Sequence, residues 1–227
     1  MVIKGTLVNV AAVLAGGGLG LAVGSRLPER LRGIITDGLG LATIVIGIRL
    51  ALKTDNMLIV VASLVTGGLL GEWWNLEGQL ERAGAWLRAR TGSPEGRFVA
   101  GFVTASLVYC VGPMTIVGSI QEGIDGNADV LYAKSMLDGA ASVAFASSLG
   151  LGVLFSSLTV LVVQGGLTLL GSRLTFLLDQ HILNEVTGTG GALILGIGLL
   201  LLEVRRLRIA NFLPALPIAA ALGALAR

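Results

Sequence analysis

Apolar residues run through this chain in long blocks separated by short polar breaks. They neither alternate with polar residues, as in a half-buried strand, nor keep the narrow stripe of a soluble surface helix. Blocks at 2–24, 33–52, 57–74, 98–120, 130–149, 151–178, 188–202 and 211–226 predict about eight transmembrane helices, because a bilayer core takes about 20 apolar residues of helix. The last is short and carries Pro214 and Pro217. The fifth and sixth are separated only by Gly150 and Gly152, which places a tight turn there. The stretch 76–96 differs. Leu76, Leu80, Ala83 and Leu87 recur at helical spacing among Glu77, Glu81, Arg82 and Arg88, close to Trp73, Trp74 and Trp86. This predicts an amphipathic helix on the cytoplasmic membrane interface. Lys4 ahead of an apolar run has the look of a signal peptide, but the run is long, carries a glycine stripe and lacks an A-x-A site, so it is read as a span.

Two parts of this pattern recur. Gly17-Gly18-Leu19-Gly20 through Arg26-Leu27 resembles Gly165-Gly166-Leu167-Thr168 through Arg173-Leu174 with a one-residue gap, and Ile44 to Ile48 resembles Leu193 to Ile197. A third apolar span follows each time. The chain is therefore read as a single transmembrane domain, 1–227, made of a first repeat unit at 1–75, the interfacial helix at 76–96, a central region at 97–150 and a second repeat unit at 151–227. An odd number of spans separates equivalent helices, so the second unit is inserted upside down. Inverted repeats of this kind are a recurrent transporter architecture.

Composition agrees with a bilayer setting. Of 227 residues 54% are hydrophobic and 13% charged, about half the charge of an ordinary soluble domain. This excludes a soluble enzyme, a disordered tail and a nucleic-acid-binding module. The 34 glycines follow no collagen period and fit close helix packing. Gly16, Gly20 and Gly24 with Ala12 form one small-residue stripe, and Gly67 with Gly71 another. Such stripes suit internal packing and a homo-oligomer equally well.

The net charge of +2 sits in clusters between the blocks. With eight spans and an outer N-terminus, the inner loops hold Arg26, Arg30, Arg32, Arg82, Arg88, Arg90, Arg97, Arg205, Arg206 and Arg208. The outer side holds Lys4, Arg49, Lys53, Lys134, Arg173 and Arg227. The excess of Lys and Arg on cytoplasmic loops puts both termini outside.

Polar chemistry concentrates in the central region. Pro113 lacks a backbone donor and Gly112 permits a bend, so the fourth span is expected to be broken at Gly112-Pro113. Thr115, Ser119 and Glu122 then share one face of the second half-helix. Such a half-helix can offer N–H groups to an anion, while carbonyls before the break suit a cation. On the fifth span Lys134 and Asp138 stand one turn apart, and Ser135, Asp138 and Ser142 share a face. An ion pair near the outer interface is one reading; a titrating or cation-binding Asp138 is the other. Asn9 and Gln164 read as interhelical hydrogen bonds, and Asp37 lies near the cytoplasmic end of the second span. Cys110 is a lone cysteine, and His181 is the single histidine on which any His-rich metal site or catalytic triad would depend. No metal or cofactor is expected, because H-E-x-x-H, Walker A, G-x-G-x-x-G, C-x-x-C and nucleophile-elbow patterns are all missing.

The motifs Cys110-Val111-Gly112-Pro113-Met114, Gly118 to Gly123, Lys134 to Gly139, Phe145 to Val153, Gly5 to Asn9 and Arg26 to Arg30 resemble the YqgA/YdfK-like family of bacterial inner-membrane proteins. The resemblance covers nearly the whole chain. It implies a multi-pass protein of the bacterial inner membrane and a transporter label, with no established activity to carry over.

The sequence thus reads as an all-α secondary transporter or channel for a small ion or polar solute, with the lipid bilayer as its surroundings. Thr115, Ser119, Glu122, Ser135 and Asp138 are its candidate pathway contacts. The alternatives are a membrane scaffold or assembly factor that recruits a partner through the amphipathic helix and, less favoured, an intramembrane enzyme using Asp37 or Asp138.

Overall fold

The computed structural model describes residues 3–91, 98–205 and 207–226, and among them it is helical with no strand. The helices are α1 (Lys4–Gly24), α2 (Glu29–Ala51), α3 (Met57–Trp74), α4 (Leu76–Thr91), α5 (Phe98–Cys110), α6 (Pro113–Asp125), α7 (Asp129–Leu149), α8 (Gly152–Leu169), α9 (Gln180–Leu201) and α10 (Ala215–Leu225). α1, α2, α3, α8 and α9 are long and apolar enough to cross a membrane, and the bent pair α5 and α6 makes a sixth if counted as one span. Arg97, Arg206, Arg227 and residues 92–96 of the expected interfacial helix lie outside the described residues, as do the side chains of Ala83, Leu87, Arg88 and Arg90.

The chain forms two compact units, Met1–Thr36 with Gly84–Thr175, and Asp37–Ala83 with Phe176–Arg227. In the first, α1 lies along α7 through its glycines. A Cβ on Gly16 would stand 2.1 Å from the Gly139 carbonyl oxygen, one on Gly20 2.4 Å from that of Val143, and one on Gly24 2.5 Å from that of Ser147. Contacts advance together along both helices, so α1 and α7 run parallel. α8 runs antiparallel to α1, with Gly17 against Leu154 and Gly165 against Thr6. α7 ends at Leu149 and α8 begins at Gly152; between them Gly150 has φ +80°, a left-handed turn that glycine adopts without strain.

In the second unit α2 and α9 cross antiparallel. Gly47 meets the Leu195 backbone at the centre, with Gly40 against Leu202 on one side and Thr54 against Gly188 on the other. Likewise Gly67 meets Ala215 and Gly71 meets Asn211, so α3 runs antiparallel to α10. The two glycine stripes read from the sequence are thus engaged inside their own units.

Several boundaries differ from the apolar blocks, with α2 starting at Glu29 instead of 33 and α6 running on to Asp125 instead of 120. The block ending at 178 stops being α-helical at Leu169 and continues as two 3-10 turns, Gly171–Arg173 and Thr175–Leu178. There Gly171 packs against Ile120 and Gly123 of α6. α9 starts at Gln180, well before the expected 188, because Asp179 caps it, accepting from the His181 and Ile182 N–H groups at 3.1 and 3.3 Å. α10 has only 11 residues after a 3-10 turn at Ile209–Phe212.

Candidate functional site

The break between α5 and α6 is a bend of 59°. Gly112 is extended there (φ −72°, ψ 150°) and Pro113 opens α6, a position where its missing N–H leaves nothing unpaired. The bend frees carbonyls at the end of α5. Thr115 Oγ1 donates to one of them, Tyr109 O, at 2.8 Å, so this threonine closes the kink. The Tyr109 hydroxyl reaches Ser142 Oγ on α7 at 2.8 Å, tying the break to the face that carries Asp138.

Around Asp138 the first unit assembles a buried polar network. Lys134 pairs with Asp138 one turn away, and both are more than nine-tenths buried. Asn9 Nδ2 on α1 donates to Asp138 Oδ2 and to Gln164 Oε1 on α8, each at 2.9 Å. Gln164 Nε2 donates in turn to Thr6 Oγ1 at 3.3 Å. A charge inside a bilayer is costly unless paired, and here one pair is held by Asn9 of α1, itself backed by Gln164 of α8. The sequence reading gave Asn9 only a packing role. Its place on the face that continues through Val13, Gly16 and Gly20 is the signal that would have brought it to Asp138.

Glu122 lies in the same unit. One carboxylate oxygen, Oε1, accepts from the Gly5 N–H in the first turn of α1 at 2.7 Å; the other, Oε2, is buried without a partner. Ser119 Oγ and Asn9 Oδ1 are likewise buried without partners. Ser135 turns back on its own helix, donating to Leu131 O at 2.7 Å. The candidate residues are therefore not one contact set. Asp138 and Lys134 belong to a network with α1 and α8, Ser142 pairs with Tyr109 of α5, Thr115 serves the break, Glu122 meets the start of α1, and Ser119 and Ser135 join none of these. Asp37 is exposed.

The second unit holds a polar cluster that sequence spacing did not reveal, since its members lie about 130 residues apart. Glu185 on α9 is fully buried and accepts from the Asp55 and Asn56 N–H groups at 2.9 Å each and from Thr54 Oγ1 at 2.5 Å. Asp55 Oδ2 faces His181 Nδ1 at 3.2 Å and accepts from Asn184 Nδ2 at 3.1 Å. Asn184 and then His181 hold the exposed Asp55 carboxyl below its ordinary range. At the α3–α4 corner Glu72 pairs with Arg208 at 2.5 Å and accepts from Asn211 Nδ2 at 2.6 Å. There Glu77 accepts from the Ala210 N–H at 2.9 Å, and burial pushes its carboxyl up.

Comparison with known proteins places this chain by descent. A family model described as "Protein of unknown function (DUF554)" matches residues 4–224, and the chain belongs to that family. It is 34% identical over 225 residues to "Uncharacterized protein YqgA" of Escherichia coli (strain K12), covering 97% of this chain and 96% of the relative. It is 28% identical over 216 residues to "Uncharacterized membrane protein YdfK" of Bacillus subtilis (strain 168), covering 93% and 92%. Neither relative's name carries an enzymatic activity. No solved structure matches the chain.

Proposed function

We propose that this chain is a secondary transporter or channel for a small ion or polar solute in the bacterial inner membrane, with eight passes and both termini outside. The directions of the helices support the count. α1 and α7 run parallel, so if α2 and α3 each cross the bilayer, the bent pair α5 and α6 crosses as well and does not fold back as a re-entrant loop. The antiparallel pairs α1 with α8, α2 with α9 and α3 with α10 fit the same alternation. α7 has 21 residues, enough to cross, and it buries the charges that lower its apolarity. α10 spans only about 16 Å at helical rise, so the eighth pass needs the preceding turn or a locally thinned bilayer.

The inverted repeat draws support from each unit separately. When residues are exchanged for their repeat counterparts, Gly17 against Leu154 becomes Gly165 against Thr6, and both contacts exist. The crossing of α2 and α9 falls at Gly47 and Leu195, beside the matching pair Gly47 and Gly196, with contacts equally spaced on either side. Such self-complementary antiparallel packing is what two copies related by a two-fold axis in the membrane plane produce.

One observation carries the pathway: Glu122 Oε2 is a buried carboxylate oxygen with no hydrogen-bond donor, near the far end of the half-helix that follows the break. A carboxylate in that position calls for a cation or proton to offset it. The path is placed along α6 and α7, with Glu122 and Asp138 as cation or proton sites, Ser119 and Ser135 beside them and Thr115 holding the bend at Gly112-Pro113. No ATP-binding pattern is present, so concentrative transport would draw on an ion gradient.

The test is flux of protons, alkali cations and small polar solutes in proteoliposomes. Glu122→Gln and Asp138→Asn are expected to abolish a flux that wild type shows, with both variants still folded. Wild-type flux equal to that of empty vesicles across the panel would favour the scaffold reading instead.

A further inference from the structure

The cluster at the start of α9 combines features that its neighbours lack. It contains the single histidine of the chain, one exposed carboxylate and one fully buried carboxylate. Asp55, His181 and Glu185 each offer a donor atom, and these atoms lie within 4.8 Å of one another. Among the described residues neither carboxylate pairs with Lys or Arg, so two negative groups meet only an imidazole and neutral donors.

The geometry points to a divalent transition-metal site formed by Asp55, His181 and Glu185. One imidazole with two carboxylates is a donor set that Zn2+, Mn2+ or Co2+ accepts and that Mg2+ and Ca2+, which take oxygen, do not favour.

Three observations favour such an ion over a purely structural cap. Glu185 is fixed by three donors yet keeps unused lone-pair capacity on Oε2, which accepts only from Thr54. Asn184 donates to the same Asp55 oxygen that faces His181, a supporting hydrogen bond of the kind that orients metal ligands. His181 already turns Nδ1 toward Asp55 Oδ2 at 3.2 Å, so imidazole and carboxylate face each other as they would across a shared ion. Bonds from a metal to nitrogen or oxygen run about 2.0–2.2 Å, so the donors need to close by roughly 1 Å. Asp55 is exposed and His181 is part-exposed, whereas Glu185 is fully buried and held by three donors, which makes it the fixed member. The open side at Asp55 admits water to complete the coordination.

The single histidine makes the test clean. Tag-free, chelator-stripped full chain in detergent is titrated with Zn2+ by calorimetry and with Co2+ by visible absorption. Cu2+ is used for pulsed electron paramagnetic resonance, in which any imidazole nitrogen signal must come from His181. The expected result is one ion per chain, an imidazole signal in wild type, and binding at least about tenfold weaker in Asn184→Ala and in Asp55→Asn. His181→Ala should lose the imidazole signal, with His181→Gln as the second variant should the alanine fail to fold. Asp37→Asn, on the exposed face of α2, is the control and should bind like wild type. The site is refuted if wild type shows no imidazole signal, if Asp55→Asn and either His181 variant bind Zn2+ as tightly as wild type, or if Mg2+ displaces Zn2+ at equal concentration. None of these outcomes bears on flux through the first unit, so this inference and the transport reading fail independently.

Discussion

Glu122 in the first unit and Glu185 in the second do the same local job under different terms. Each is a buried carboxylate that takes the free N–H groups at the start of another helix, Gly5 of α1 in one case and Asp55 with Asn56 before α3 in the other. Glu185 receives three donors, and both its oxygens are engaged. Glu122 receives one, and its second oxygen has none. A carboxylate held at both oxygens by neutral donors is a rivet, even where one oxygen keeps a lone pair to spare. A carboxylate with one buried oxygen left without a donor is unsatisfied, and under the proposed transport reading that asymmetry marks Glu122 out more sharply than burial, which is nearly equal for the two.

Removing the rivet should be the costliest change. Glu185→Ala takes the acceptor from the Asp55 N–H and the Thr54 hydroxyl and leaves the Asn56 N–H only Thr54 Oγ1, a loss of about 3 kcal/mol, read as a lower midpoint in detergent unfolding. Glu122→Gln keeps an oxygen for Gly5 and should shift stability by less than about 1 kcal/mol while stopping flux. Equal stability losses in the two variants would erase the contrast.

Asp138→Asn strands Lys134 as a buried unpaired charge, at about 3 kcal/mol. Adding Lys134→Met should recover most of that stability, though not the flux, and a double-mutant cycle measures the coupling. If stability returns together with transport, the pair is structural only.

Glycines extend the comparison to packing. Gly16→Ala drives a methyl into the Gly139 carbonyl and should cost about 1–3 kcal/mol. Gly18→Ala, with nothing within 4 Å, should be neutral or gain up to about 1 kcal/mol.

The smallest effect concerns pH. The Asp55 carboxyl sits below its ordinary value, so its contribution is present above the unfolded carboxylate range and is lost as pH falls through the lower folded value. Asn184→Ala should move the onset of acid unfolding slightly upward, as followed by circular dichroism.

What the sequence disclosed depended on whether a signal was local. The break at Gly112-Pro113, the one-turn spacing of Lys134 and Asp138, and the turn at Gly150 involve neighbours and could be read directly. The start of α9 could not. Asp179, His181, Asn184 and Glu185 look too polar for a span until residues 54–56 and the cap itself supply their partners. The run 170–178 misled in the opposite sense: it is apolar enough for helix, but the close approach of Gly171 to Ile120 and Gly123 ends α8 earlier. Asn9 was visible but undervalued, because Asp138, the partner that gives it meaning, lies 129 residues away.

The parallel seam between α1 and α7 also imposes an order in time. α1 leaves the ribosome with a row of bare glycines and with Asn9 inside the bilayer, and it must wait through the synthesis of more than 100 residues before α7 arrives. α7 carries the buried charges Lys134 and Asp138, and Asn9 of α1 is the neutral side chain that donates to Asp138. A chain from which α1 has been deleted is therefore expected to fail at α7, far downstream of the deletion.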